Sequence, residues 1–327
     1  MKFYTKLILG LACLVAIFAT NVNAQEFEYY QNNEPKHTEN EGAIATDTIG
    51  EPDEFRYSFD YGSFFDGKFT FSKAILSAHD IPRIDVKYSK VLPAIYEKRF
   101  GGEFSETGSI SVSAGYFSQK SARESNLTMF DNYYLRYENY SSKLGVKRDY
   151  DKVGLEAWKL AWGYQEGFGW HSGDVEISLY NANNLNWTTV TSFDKPQNLI
   201  DNDVAVLERF ASGTRFGRSF SAGTEIHFWN TLGVSFAYEQ EQVFEHHKFW
   251  YWTVSEIIET AATGVVSSFI DDIAGRSKVA GPIINFIVKN GISYGFYELR
   301  KKKMNWPFET AAPIYMDKFT LGVSLTF

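Results

Sequence analysis

The chain is poor in the residues that usually carry chemistry. It has one cysteine, Cys13, inside an apolar run near the N-terminus. Beyond that run there is no thiol, which excludes disulfides, thiolate catalysis and sulfur-ligated zinc. No glycine-rich phosphate loop and no Gly-x-Ser-x-Gly elbow occurs. Past Ala24 no stretch is both long and apolar enough to read as a transmembrane helix. His246 and His247 are adjacent, and neighbours on a strand point to opposite faces, so they seldom share one metal. Ser221, Glu225 and His227 are the residue types of an acyl-transfer site. Yet Ser221 and His227 lie about 20 Å apart along an extended strand, so they cannot meet. His171-Ser172, expected in a long outer loop, is the other candidate and is only a dipeptide. With no site that geometry can assemble, we expect no catalytic residue, no metal site and no cofactor. No nucleic-acid partner is expected either.

What is present begins with a targeting layout. Lys2 and Lys6 precede an apolar run over residues 7–18, too short to span a bilayer comfortably. Val22, Asn23 and Ala24 then supply small residues before Gln25. This predicts a secretory signal peptide over residues 1–24, cleaved after Ala24. Residues 10–12 match a lipobox poorly. The formal net charge is −8, and much of it falls in residues 25–54, where acids from Glu26 to Glu54 face Lys36 alone. That segment reads as a disordered acidic tail, either a solvated spacer or a docking arm for a periplasmic partner. Residues 55–327 form the remaining domain.

The final stretch has strict period two. Phe319, Leu321, Val323, Leu325 and Phe327 alternate with Thr320, Gly322, Ser324 and Thr326, which predicts a strand with one apolar and one small polar face. The same alternation recurs around Ile84, Val86 and Tyr88; Ile110, Val112 and Tyr116; Trp158, Leu160 and Trp162; Val175, Ile177 and Leu179; Phe220 and Ile226; and Leu232, Val234 and Phe236. Charged residues fall opposite the aliphatics each time. Lipid outside and a polar interior give this pattern; a soluble sandwich with water outside gives it too. Aromatics at 17% supply the residues of interfacial girdles. Weaker strands are expected over residues 64–74, 133–146, with a β-bulge near 140–142, and 186–192. The tally is about ten, within eight to twelve.

The terminal strand resembles the last strand of Gram-negative outer-membrane β-barrels, which typically finish on Phe. The resemblance implies an antiparallel up-and-down transmembrane β-barrel of the all-β membrane class, located in the outer membrane. It implies that Phe319, Leu321, Val323, Leu325 and Phe327 serve membrane assembly, with the barrel assembly machinery and outer-membrane lipid as partners. Counted back from that strand, the links near residues 229–232 and 181–185 are short and periplasmic. Those over 193–218 and 244–317 are long and extracellular. Residues 92–106 then form an oddly long periplasmic link.

Residues 250–303 read as an α-helical hairpin inserted before the last strand. Ile257, Ile258, Ala261, Ala262, Val265 and Val266 make one apolar stripe, with Glu256, Glu259, Thr260 and Thr263 opposite. Thr253 and Glu256 have capping-box spacing, and Gly275 suits a stop. A second helix starts near Pro282 and ends in Arg300, Lys301, Lys302 and Lys303. Gly291 and Gly295 would permit a close helix approach. The pair can pack on itself above the barrel, cap its mouth, or lie on the membrane with Trp250, Tyr251 and Trp252 at headgroup depth. Glu259, Asp271, Asp272 and Lys289 speak against a span.

Arg83, Asp85, Lys87, Lys159, Glu176, Glu225, His227, Glu239 and Glu241, with Arg136, Glu138 and Asp174, are expected to face the lumen. Three functions remain open: a narrow channel or binding protein for a small polar solute, capped by the hairpin; a closed barrel serving as anchor or surface platform; and a lipid-modifying hydrolase or acyltransferase. Mixed charges in a barrel this narrow pair and close it, or line a selective path.

Overall fold

The computed structural model describes residues 81–121, 126–147, 149–229, 231–274 and 280–327. The expected signal peptide, acidic tail and strand at 64–74 lie outside them, as does Gly275. By compactness the chain divides into residues 61–266 with 286–327, which hold the barrel, and residues 1–60 with 267–285. Of the second unit only the ends of two helices are described.

Eight strands pair in sequence order and close on themselves. They are β1 (Ile81–Ala94), β2 (Thr107–Ser121), β3 (Leu127–Ser141), β4 (Gly154–Ser172), β5 (Val175–Asp194), β6 (Thr214–Phe228), β7 (Leu232–Val243) and β8 (Ile314–Thr326). Every neighbouring pair is antiparallel, and β8 returns to β1, with Val86 opposite Val323. The Phe327 amide donates to the Pro82 carbonyl at 3.0 Å. Both edges of β1 are taken, by β2 and β8, so this closed sheet has no place for a further strand.

The count of about ten is thus corrected to eight. The expected turn at 181–185 does not exist. β5 runs through it, with Asn184 opposite Gly163 and Asn186 opposite Ala161. The outward positions there are Asn181 and Asn183, so polarity on both faces imitated a turn. The parity change near Tyr140 is no bulge either: β3 ends at Ser141 and a 3-10 turn, Ser142–Leu144, follows. The irregular register lies instead between β4 and β5, where Glu156 faces Ser192 but Ala157 faces Val190. The Thr191 hydroxyl there donates to the Glu156 carbonyl at 2.9 Å.

With β5 continuous, the odd link disappears. Residues 95–106, 142–153, 195–213 and 244–313 all leave the same end, which we call the long-loop end. At the other end β4 meets β5 through Gly173 and Asp174, and β6 meets β7 through residues 229–231. Gly173 sits at φ 62°, a conformation that disfavours side chains and that tight hairpins require. Asp174 therefore lies in an exposed turn and not on the inner face.

Three helices decorate the long links. Helix α1 (Asp201–Ala211) lies between β5 and β6. Helices α2 (Phe249–Ala274) and α3 (Ala280–Lys302) occupy the segment before β8. The start of α2 comes one turn earlier than Thr253, whose hydroxyl donates back to the Phe249 carbonyl at 2.9 Å and caps nothing. Gly291 and Gly295 mediate no close approach, since a methyl group at either would meet nothing within 4 Å.

The burial pattern is inside out. On β1 Ile84, Val86 and Tyr88 are exposed while Arg83, Asp85 and Lys87 are buried. On β8 Leu321, Val323, Leu325 and the terminal Phe327 are exposed, with Lys318 and Ser324 buried. Ile110, Val112, Leu135, Leu160 and Phe236 continue this outward apolar belt, with Phe319, which packs on Tyr238, on the same face.

Candidate functional site: a filled interior and a polar strip on the wall

The inward side chains stack in layers along the barrel. Nearest the short turns, Phe117, Phe130 and Tyr180 pack together. Beside them Arg83 lies over the Phe117 ring at 5.5 Å. It donates to Asp85 at 2.8 Å and to Glu225 at 2.6 Å. Ser113 and Ser324 donate to these two carboxylates at 3.1 and 2.6 Å. His227 Nε2 is 3.0 Å from Glu225. Glu176 accepts from Gln119 at 2.7 Å and Thr128 at 3.1 Å, and lies 2.5 Å from His171 Nε2.

The middle layer is a compact ion network. Lys318 Nζ lies 2.7 Å from Glu138, 3.1 Å from Glu239 and 3.2 Å from Glu241. Lys159 Nζ lies 2.7 Å from Glu138 and 2.9 Å from Glu241. Arg136 bonds Glu239 at 3.0 Å, and the Tyr140 hydroxyl donates to Glu241 at 2.8 Å. Three carboxylates meet three cations, so the layer is neutral. Carboxylate oxygens of Glu138, Glu239 and Glu241 come within 4.8 Å of one another, a spacing that suits a metal ion. The two ammonium groups already hold that place.

Toward the long loops the interior turns apolar. Val91, Tyr140, Leu155, Ala157, Val190, Val243, Ile314 and Met316 form one cluster with Val206, Leu207 and Phe210 of α1. Leu207 and Phe210 are fully buried, so α1 seals the mouth. Asp203 in its first turn accepts from the Gly101 amide at 3.1 Å. Sequence reasoning missed α1. The signal was there in Asp201 and Asp203 before Val206, Leu207 and Phe210 at helical spacing, with Arg209 in the last turn.

The nine expected lumen residues Arg83, Asp85, Lys87, Lys159, Glu176, Glu225, His227, Glu239 and Glu241 all lie inside, none more than 7% exposed. An open aqueous pore would leave such side chains wet. Glycines confirm how tightly the space is used. A methyl group at Gly322 would come within 2.7 Å of Lys87 Cγ and Ser235 Oγ, and one at Gly233 within 2.2 Å of Ser324 Oγ.

The acyl-transfer residues do not assemble. Glu225 is committed to Arg83 and Ser324, and no hydrogen bond joins Ser221 to His227 among the described residues. His171 sits on β4 at the short-turn end rather than in a long loop, and Ser172 is exposed. His246 lies 3.1 Å from Glu245, whereas His247 packs on Phe216 and Trp252. Burial, with Arg215 and Lys248 nearby, holds the His246 imidazole below its ordinary value.

A second polar system lies on the outer wall. Glu166, Arg218, Gln240, Gln242 and Asp317 occupy outward positions on β4, β6, β7 and β8, on the side where Leu160, Phe236 and Leu321 are apolar. Arg218 lies 2.5 Å from Glu256 and 2.6 Å from Glu259 of α2. Arg300 of α3 ties back to Glu259 and to the Ser255 hydroxyl at 2.9 Å. Lys289 bonds Glu166 at 2.8 Å. The Tyr297 and Tyr238 hydroxyls both donate to Asp317, at 3.1 and 2.6 Å. Trp252 meets Phe216 edge-on at 5.2 Å. Between helices and wall a cavity of about 10 Å³, lined by Arg218, Gln240, Glu259 and Arg300 among others, has room for about one water. Over residues 249–263 and 286–302, α2 and α3 thus touch the outside of the barrel.

Geometry and site together define the class: a closed eight-stranded antiparallel barrel, apolar outside and charged within. No protein family and no curated protein matches the chain. Among solved structures it is similar to Neisserial surface protein A, at 12% identity and TM-score 0.35, covering 75% of this chain and 97% of that one. It is similar to Ail, the attachment invasion locus protein of Yersinia pestis, solved with the heparin analogue sucrose octasulfate, at 7% identity and TM-score 0.28, covering 76% and 99%. The TodX monoaromatic hydrocarbon channel, a deltaS2 mutant, is similar at 10% and 0.20 over 50% of this chain and 49% of that one. Likenesses of this size carry no argument; the hydrogen-bonded closure carries the fold.

Proposed function

We propose that this protein is an outer-membrane barrel with a sealed interior, acting as an anchor and platform that carries α1 over its mouth and α2 and α3 on its wall. The observation that supports it is the burial of Arg83, Asp85, Lys87, Arg136, Glu138, Lys159, Glu176, Glu225, Glu239 and Glu241 inside the barrel, with a neutral middle layer, beneath an apolar plug. Lipid accounts for the outward belt, since only a closed barrel or a helix satisfies its backbone groups there. On this reading the signal peptide exports the chain, the terminal strand ending in Phe327 engages the assembly machinery, and the acidic tail extends into the periplasm.

The rival reading is a narrow path for a small polar solute. Conductance of the purified protein in a planar bilayer decides between them. A sealed barrel gives no steps above the lipid background, and reproducible unitary steps would overturn the proposal.

A paired substitution checks both faces. Val234→Arg places a cation on the belt and should destabilise the barrel by about 2–4 kcal/mol near mid-bilayer. Ser235 is 3% exposed against Gly322, so Ser235→Arg should also be damaging, by overpacking and an unpaired charge, at about 1–3 kcal/mol or more. Urea titration in micelles measures both. A harmless Ser235→Arg would mean that water fills the lumen.

A further inference from the structure

α2 and α3 bury the wrong faces for helices in water. On α2 the buried side chains are Ser255, Glu259 and Thr263, while Val254 and Ile257 are exposed at 40% and 49%. On α3 Lys289, Tyr297 and Arg300 are buried with Phe286 beside them, while Ile287 and Leu299 are exposed at 46% and 42%. A surface helix of a soluble protein turns its apolar stripe inward and its charges out. Here the charges turn to the barrel wall, where Arg218, Glu166 and Asp317 meet them, and the aliphatics turn away. That is the arrangement expected where the surroundings are hydrocarbon, because intramembrane charges face protein and pair there.

Depth agrees. Glu166 lies six residues before the short-turn end of β4, Ser172. At about 3.3 Å per residue and the roughly 40° tilt of a small barrel, that is about 15 Å from that end. This is about half of a 30 Å hydrocarbon layer, and Lys289 of α3 reaches Glu166 there. At the long-loop ends of the helices the exposed residues become Phe249, Trp250 and Tyr251, with Lys248 over the Tyr251 ring at 5.5 Å. Aromatics and cations of this kind sit at headgroup depth. No described helix is long and apolar enough to cross a membrane alone, and the charges of Glu259 and Lys289 are paired with Arg218 and Glu166 of the wall. Their partners on the wall remove the objection that these charges raise.

We propose that α2 and α3 form a lipid-facing layer on the barrel, with acyl chains against Val254, Ile257, Ile287 and Leu299 and the polar faces sealing a charged strip of the strand wall. The membrane surface is then part strand and part helix. This rests on the outer-membrane reading above, and the experiment separates the two.

The sequence makes the test clean, since Cys13 is its only cysteine. On a Cys13→Ser background, Val254→Cys, Ile257→Cys, Ile287→Cys and Leu299→Cys are made singly, spin-labelled and reconstituted in phospholipid vesicles. All four sites are among the exposed ones of their helices, so the label has room outward. Collision with oxygen, which partitions into acyl chains, is compared with collision with a water-soluble nickel chelate. Val86→Cys and Val323→Cys report the strand belt, and Tyr150→Cys reports a long loop. The helix labels should match the strand labels, dominated by oxygen, with Tyr150→Cys dominated by nickel. Nickel-dominated helices beside oxygen-dominated strands would overturn this proposal alone. Nickel-dominated strands would overturn the membrane reading and this one with it.

Discussion

Lys318→Met should cost about 3–5 kcal/mol of barrel stability, the range for removing one partner of a buried ion pair. The Lys318 side chain is 1% exposed and touches three carboxylates. Its loss leaves Glu138, Glu239 and Glu241 to Lys159 and Arg136 alone, with one negative charge in excess among buried side chains. The measurement is the urea midpoint in micelles, followed by the mobility shift between folded and heat-unfolded barrel.

The charge argument makes a sharper claim than the deletion. In Lys318→Met with Glu241→Gln, Lys159 keeps Glu138 at 2.7 Å and Arg136 keeps Glu239 at 3.0 Å, so the layer is neutral again. The double variant should recover part of the loss, with a coupling in the range of about 0.5–3 kcal/mol found for residues of one network. A Lys318→Met barrel within about 0.5 kcal/mol of the parent, the scale of a neutral surface change, would mean that solvent or ions reach the network. The sealed-interior reading would then fail without any conductance measurement.

The strands were legible where the two faces differ in polarity. β1 and β8 carry apolar side chains from Ile84 to Tyr88 and from Phe319 to Phe327 at the outward positions, and the alternation assigned their two faces. β5 was not legible as one strand because Asn181, Asn183, Asn184 and Asn186 are polar on both faces, and period two vanishes when the outside is also polar. α1 escaped because it is short and its apolar residues serve the barrel interior, a contact that no local window contains. For α2 and α3 the helical period was plain, but the use of its apolar stripe was open between packing on itself, capping the mouth and lying on the membrane. The true partners of the polar face, Glu166, Arg218 and Asp317, are distant in sequence and look only like blemishes in a strand pattern. A charge at an outward strand position is the signal to seek a cover for that position.

The same blemishes decide what happens when the helices are removed. Replacing residues 255–302 by a short Gly-Ser link should abolish a stable, inserted barrel, although a hairpin read from the sequence alone as a module above the mouth should be dispensable. The truncation strips Glu256 and Glu259 from Arg218, Lys289 from Glu166, and Tyr297 from Asp317. It also uncovers Gln240 and Gln242, which are 5% and 2% exposed in the intact protein. A cation turned to lipid costs about 2–4 kcal/mol near mid-bilayer and less toward the interface, and a carboxylate costs less, so Glu166, Arg218 and Asp317 together draw on the roughly 5–15 kcal/mol by which a protein is stable. A repaired truncation separates this cause from a merely awkward link. With Glu166→Leu, Arg218→Leu and Asp317→Leu added, the wall becomes apolar like the rest of the belt, and the shortened barrel should fold and insert again. Heat-modifiable mobility after refolding into vesicles reads both variants. If the plain truncation folds as well as the full chain, the helices are a separable module and the wall charges are tolerated in place. If the repaired one fails as well, the helices supply packing that three leucines do not replace, and charge is not the reason they are there.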